Sequence, residues 1–212
     1  MEKKKSGLFK NTLVLVIITL VAVAALAVVN QITKGPIEQA EINQKAAAYK
    51  VVYADATEFG EVDGLDKMIE KSTKLFDKNG LAGCAVTDAL EVKSSNGDTE
   101  GYIIASTSPN GYGGEIQVAI GIKDDKLTGF TVISNSETAG LGSKCADPDF
   151  QNQFKGKPAQ TLSYTKSGAT ADTEIDAISG ATITTNAVTE AVNAGIAFYQ
   201  ANFGGADSAQ AQ

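Results

Sequence analysis

The 212 residues carry a formal charge of −7 without a histidine, an arginine or a tryptophan, so all eighteen side-chain cations are lysines. That excludes a Ser-His-Asp triad, a Cys-His pair, a His-ligated metal and an arginine clamp on an anion. Lys3, Lys4, Lys5, Lys10 and Lys34 against Glu2 give residues 1–34 a charge of +4 and leave −11 on the remainder, which argues against nucleic acid as a partner.

The length has room for one membrane anchor and one globular domain. Thr12–Val29 contains no charge and is dominated by Leu, Val, Ile and Ala. Leu8 and Phe9, across Lys10, extend it to the roughly 20 residues that span a bilayer. Four lysines precede this run and only Lys34 follows closely. The positive-inside rule therefore places the N-terminus in the cytoplasm and everything after Asn30 on the extracytoplasmic side of the plasma membrane. Ala25-Leu26-Ala27 has the small-x-small form of a cleavage site, so a cleaved signal peptide is the competing reading; its apolar region is usually shorter than this one. No cysteine follows the run to carry a lipid. Residues 1–34 read as a cytoplasmic N-terminus and an uncleaved transmembrane anchor.

Gly35-Pro36 reads as a break, with Pro36 in the first turn of a new helix. Ile37–Lys50 has helical spacing, Gly60–Gly64 reads as a turn, and Leu65–Phe76 as a short helix ended by Asn79-Gly80. Residues 35–80 form a helical connecting segment on this reading. From Gly83 the pattern turns to strands: Cys84–Lys93, Gly101–Ser106, Glu115–Ile122 and Leu127–Ser134, the last two as an antiparallel hairpin. Phe150 and Phe154 suggest a short helix with an apolar face. Asn186–Gln200 is the strongest helix of the domain, with Thr184 or Thr185 as its N-cap. Strands run together while helices lie at the ends, so the predicted class is α+β. Residues 81–203 are expected to form the domain and 204–212 a flexible tail. Cys84 and Cys145 read as two separate thiols, with a disulfide as the next choice outside the cytoplasm.

Two stretches carry the chemistry. Asn135–Lys144 is a glycine-containing loop at a strand end, either a plain connection or a place for binding residues. Asp176-Ala177-Ile178-Ser179-Gly180-Ala181-Thr182 is small-residued and enters the last helix, where unpaired N–H groups and the helix dipole suit an anion such as phosphate. The second stretch resembles the flavinylation motif Asp-x-x-(Ser/Thr)-Gly-Ala-Thr of the FMN-binding domain family, and every defined position is filled. Ser167-Gly168-Ala169-Thr170 repeats the last four letters, but Tyr164 stands where the motif requires the acid. Thr182 is therefore the expected attachment point and Thr170 a decoy.

The resemblance extends over most of the chain. Asn30–Ile37, Gly111-Tyr112-Gly113-Gly114-Glu115-Ile116 and Glu137-Thr138-Ala139-Gly140-Leu141-Gly142 are similar to segments of the G-subunit family of Rnf complexes, the membrane-bound ferredoxin:NAD oxidoreductases that move Na⁺ or H⁺. The C-subunit family of the Na⁺-translocating NADH:quinone reductases is a related alternative. Ala139 replaces a proline of the Rnf family, and Asn135 stands where many members have histidine, which removes a histidine proton donor. The resemblance implies an antiparallel-sheet FMN-binding domain flanked by helices, with FMN joined covalently to Thr182 as a phosphothreonyl ester. It implies that Asp176, Ser179, Gly180 and Ala181 support that phosphate or are read by a separate Mg²⁺-dependent flavin transferase. It also implies that Glu137, Thr138, Leu141 and Gly142 line the flavin, with Tyr112 a weaker candidate. The expected role is electron relay beside other subunits of the complex, with no complete active site on this chain; a stand-alone flavoprotein reductase and a flavin-free scaffold are the other classes.

Overall fold

A computed structural model describes residues 3–54, 56 and 58–204. The chain divides into two compact units, residues 1–44 and 45–212. The first helix, α1 (Lys3–Val52), begins in one unit and ends in the other. Its stretch Phe9–Lys34 is long and apolar enough to cross a membrane and is wholly unburied within the protein. Leucines, valines and isoleucines exposed along a whole helix, such as Leu20, Val23 and Leu26, are stable only against an apolar surround. The predicted break at Gly35-Pro36 is not observed, because helix continues across it. A proline deletes one rung of the helix rather than forcing a stop, and good helix formers lie on both sides.

In the second unit, β1 (Glu58–Glu61), β2 (Ala85–Lys93), β3 (Thr99–Ser108), β4 (Ile116–Lys123) and β5 (Lys126–Ser134) form one sheet in chain order, every pair antiparallel. The four strands predicted from Cys84 to Ser134 correspond to β2–β5. The short edge strand β1 occupies part of the predicted 60–64 turn; only four residues long and mostly exposed, it has little apolar alternation to betray it. Asp124 and Asp125, at φ of 50° and 55°, make the two-residue turn of the β4–β5 hairpin, whose twist favours left-handed backbone.

Both faces of the sheet are covered. One packs against α2 (Leu65–Lys78) and α4 (Thr182–Asn202), with Ile104, Val118, Ile120 and Ile122 meeting Ala187, Val188, Ala191 and Val192 in the main core. On the other face Ala48, Tyr49, Val52 and Tyr53, at the end of α1, pack on Val92, Ile103, Ala105 and Ala119. The period-2 alternation of Ile103, Ile104 and Ala105 sends successive residues to opposite cores. The predicted apolar face of α4, including Ile196 and Tyr199, is buried, and Asn193, Ala194 and Phe198 are buried as well, so this helix is enclosed on nearly all sides. Between β5 and α4 the chain forms a 3₁₀ turn (Gly142–Ala146), α3 (Pro148–Gln151), a second 3₁₀ turn (Asn152–Phe154) and the parallel pair β6 (Ser163–Thr165) and β7 (Glu174–Asp176). Phe130, Phe150 and Phe154 cluster there, Phe130 stacking on Phe154 with centroids 4.2 Å apart.

The predicted cap of α4 requires correction. The helix begins at Thr182, and the residue before it, Ala181, has no side-chain cap. Thr185 is inside the helix and fully buried; its hydroxyl donates to the Ala181 carbonyl and accepts from the Ile178 N–H, both at 3.0 Å. Thr184 turns its hydroxyl elsewhere, to Glu137. The threonines expected to end the turn instead brace it from within. Cys84 and Cys145 are free and buried. Of the expected tail, only Gly204 lies among the described residues.

Candidate functional site

The segment 177–182 folds tightly over the start of α4. Gly180 sits at φ 76°, a conformation that a side chain would strain, and the Ala181 N–H closes the turn on the Ile178 carbonyl at 3.0 Å. The first backbone bond of the helix runs from the Thr185 N–H to the Ala181 carbonyl at 3.0 Å. The N–H groups of Thr182, Ile183 and Thr184 therefore have no partner among the described residues, as the geometry of a helix start requires. Thr182 is half-buried beside them.

A cleft of about 520 Å³ is lined by Gly180, Ala181, Thr182, Ile183 and Thr184 from this segment and by Tyr112, Glu137, Thr138, Leu141 and Gly142 from two other parts of the chain. The volume lies in the range that holds a small-molecule cofactor. Among the described residues after 44, only Val51, Phe59, Tyr112, Leu141 and Ile183 are large apolar side chains left exposed. Three of those five line the cleft. Uncovered apolar surface in the globular unit is thus gathered at this cleft.

The 135–144 loop is shaped around Glu137. Its carboxylate accepts from the Gly113 N–H at 3.1 Å and from the Thr184 hydroxyl at 2.7 Å. The Asn135 side chain accepts from the Glu137 N–H at 3.1 Å, so this asparagine turns the loop. The Leu141 and Ser143 N–H groups both close on the Thr138 carbonyl. A Cβ on Gly142 would fall on the Glu137 carboxylate and within 2.6 Å of the Thr184 oxygen. A second carboxylate, Glu190 on α4, accepts from Ser108 at 2.9 Å, Asn110 at 2.8 Å and Asn186 at 2.6 Å, tying the turn that carries Tyr112 to the same helix. Behind the loop, burial first and then the Glu137 charge push the Cys145 thiol up to about 11.

Seven of the nine residues singled out in the sequence line this cleft: Thr182, Gly180, Ala181, Glu137, Thr138, Leu141 and Gly142. Asp176 and Ser179 do not. The Asp176 carboxylate accepts from the Ala169 N–H at 2.6 Å, and its own N–H donates to Gln153 at 2.7 Å. Ala169 belongs to the repeated Ser-Gly-Ala-Thr, whose next N–H groups, of Thr170 and Ala171, donate to Glu174 at 3.1 and 3.2 Å. Those bonds hold the Glu174 carboxyl below its ordinary range. The decoy's N–H groups are thus filled by acids, whereas those of Thr182, Ile183 and Thr184, residues that line the cleft, have no partner among the described residues. Thr184, Ile183 and Gly113 were missed as site residues. The threonine run 182–185 was a signal, but only the fold shows which hydroxyl faces which wall.

Residues 111–197 match the FMN-binding domain family, and residues 1–52 match the RnfG N-terminal region. The G subunit of the Na⁺-translocating ferredoxin:NAD⁺ oxidoreductase complex of Acetobacterium woodii is 37% identical over 195 residues, covering 91% of both chains. The chain belongs to the G-subunit family of Rnf-type complexes. Another member, the G subunit of the ion-translocating oxidoreductase complex of Methanosarcina acetivorans, is 31% identical, covering 92% of this chain and 96% of that one. The family also includes the proton-translocating counterpart of Clostridium ljungdahlii, at 28% identity. The crystal structure of the C subunit of the Na⁺-translocating NADH-quinone reductase of Parabacteroides distasonis shares the fold, with a TM-score of 0.51 at 20% identity over 77% of this chain and 93% of that one. All ten residues that line the cleft of Thr182 lie inside the matched FMN-binding region.

Proposed function

We propose that this chain is the FMN-carrying electron-relay subunit of a membrane complex that couples electron transfer from ferredoxin to NAD with Na⁺ or H⁺ translocation. The observation that carries the reading is the junction at Thr182, where three residues whose N–H groups have no partner among the described residues start a helix and line a cleft shared with the exposed apolar side chains of Tyr112 and Leu141. The residues present suit FMN. The N–H groups of Thr182, Ile183 and Thr184 take the phosphate charge, in a chain that has no arginine for the task. Tyr112, Leu141 and Ile183 offer apolar faces to a planar ring. FMN accepts and gives one or two electrons, which suits transfer between partners. An open cleft needs no substrate pocket, only access for a neighbouring protein of the complex.

Attachment to Thr182 is covalent on this reading. The Thr182 oxygen forms a bond to the FMN phosphorus, the pyrophosphate bond of FAD breaks, AMP leaves and the hydroxyl proton passes to solvent. A Mg²⁺-dependent flavin transferase catalyses this step. Phe9–Lys34 spans the bilayer with the N-terminus cytoplasmic, so the flavin domain lies outside, where a permanently tethered cofactor is not lost by dissociation. Protease digestion of sealed cells checks that sidedness: the globular unit should be degraded from outside.

The test of attachment co-expresses the chain with an active flavin transferase and reads flavin fluorescence in denaturing gels. Wild type and Thr170→Ala should fluoresce and Thr182→Ala should not. Fluorescence that persists in Thr182→Ala sinks the site assignment. A dark wild type, with the transferase active on another target, leaves the scaffold reading.

A further inference from the structure

Glu137 is the one charged side chain among the ten that line the cleft. It has no cationic partner among the described residues: the ion pairs there join Lys93 to Glu91 and Lys123 to Glu100, within the sheet. Both carboxylate oxygens are occupied as acceptors, Oε1 by the Gly113 N–H at 3.1 Å and Oε2 by the Thr184 hydroxyl at 2.7 Å. The residue is half-buried, so its field is screened less than that of a surface acid. Three segments converge on it: the 111–114 turn through Gly113, the first turn of α4 through Thr184, and its own loop through the Asn135 side chain at 3.1 Å. The absence of a side chain at Gly142 is what lets Thr184 approach.

We propose that Glu137 is a positioning residue that sets the electron affinity of the cofactor, a fixed negative charge held in the wall by Thr184 and Gly113 rather than a direct ligand. This rests on reading the cleft as the flavin site. A negative charge held beside a redox ring opposes the arrival of electrons, and in a partly desolvated wall it does so more strongly than in water. Its direction is therefore to lower the midpoint potential. Thr184 serves by keeping the carboxylate turned inward. Without that bond the side chain can swing toward water, where its effect on the cleft weakens.

The experiment uses the full-length chain matured with an active flavin transferase, as wild type, Glu137→Gln, Thr184→Val and Thr184→Ser. Three quantities are read: covalent flavin per protein after acid precipitation, the melting transition of flavin-free and flavin-loaded protein, and the midpoint potential by spectroelectrochemical titration at one pH. In the fraction of Glu137→Gln that carries covalent flavin, the potential should shift positive. Thr184→Val should give a smaller positive shift, and Thr184→Ser should restore the wild-type value. An unchanged potential in a flavin-loaded Glu137→Gln overturns the proposal and leaves the residue a structural strut. Should Glu137→Gln show no melting transition, Thr184→Val decides: a wild-type potential in that variant overturns the proposal equally. A wild type without covalent flavin overturns the cofactor reading itself, which is a separate outcome.

Discussion

Thr182 and Thr170 end the same four letters and differ in everything around them. Thr170 donates its N–H to Glu174, and its hydroxyl lies 3.4 Å from the same carboxylate, so a phosphate there would meet an acid. Thr182 opens a helix of 21 residues whose first N–H groups are free to receive one. Asp176 discriminates the two copies in sequence, yet in the fold its carboxylate holds the decoy at Ala169 rather than facing Thr182. This makes a residue-scale prediction. Asp176→Ala removes the acceptor for the Ala169 N–H, so the exposed 166–172 segment should loosen. Trypsin cleavage after Lys166, followed by mass spectrometry, should accelerate several-fold. An unchanged cleavage rate would show that the bond does not restrain the loop. The motif residues themselves were legible because small residues in fixed spacing leave a mark in the sequence. Thr184 was not, because its role depends on a carboxylate 47 positions away.

Among the elements, the end of α1 lies almost on the backbone of the sheet. A Cβ on Gly129 would come within 2.8 Å of Val52 backbone atoms, and the Thr128 hydroxyl donates to the Val52 carbonyl at 2.6 Å, satisfying one of the last helical acceptors. Tyr49 donates to Asp88 on β2 at 2.6 Å. Burial, then that hydrogen bond and charge, raise the Tyr49 phenol above its ordinary value. Gly129→Ala should therefore push the helix end from its seat and cost about 1–3 kcal/mol. The midpoint of chemical denaturation in detergent checks it; a wild-type midpoint would mean that this contact has slack. Strands β2–β5 were legible because their Val, Ile and Thr runs are separated by strong turn residues. The start of α4 was misread because Thr184 and Thr185 look like caps while their hydroxyls serve Glu137 and Ala181.

For the whole molecule, the two thiols and the apolar helix give measurable consequences. Burial is the first cause that raises Cys84 and Cys145 from 9.0 to about 11. A thiol whose folded pKa is raised contributes stability that is complete below about pH 9. That contribution is lost as pH climbs toward 11, because the unfolded chain releases its protons first. Between pH 9 and 10 each cysteine should remove up to about 1.4 kcal/mol per pH unit. Denaturation midpoints across that interval, compared with Cys84→Ala/Cys145→Ala, should show a shallower fall in the double variant. The same burial should leave both thiols slow to alkylate at pH 8 until the protein is unfolded. The helix Phe9–Lys34 should keep the chain in the membrane pellet after alkaline carbonate extraction; release into the supernatant would refute a spanning anchor.

Local patterns in the amino-acid sequence suffice for the long apolar helix, the α+β class and most strands, while the seven cleft residues come from motifs that resemble those of a family. Each of these is written within a short window, as an apolar run, an alternation or a motif. No such window reveals that α1 runs through Gly35-Pro36, that Asp176 turns to the decoy loop, or that Thr184 donates its hydroxyl to Glu137. Those outcomes depend on which distant segments meet. Only the fold brings the loop after β5, the 111–114 turn and the first turn of α4 around one space, and only there does an unpaired N–H or a lone carboxylate acquire a partner to act on.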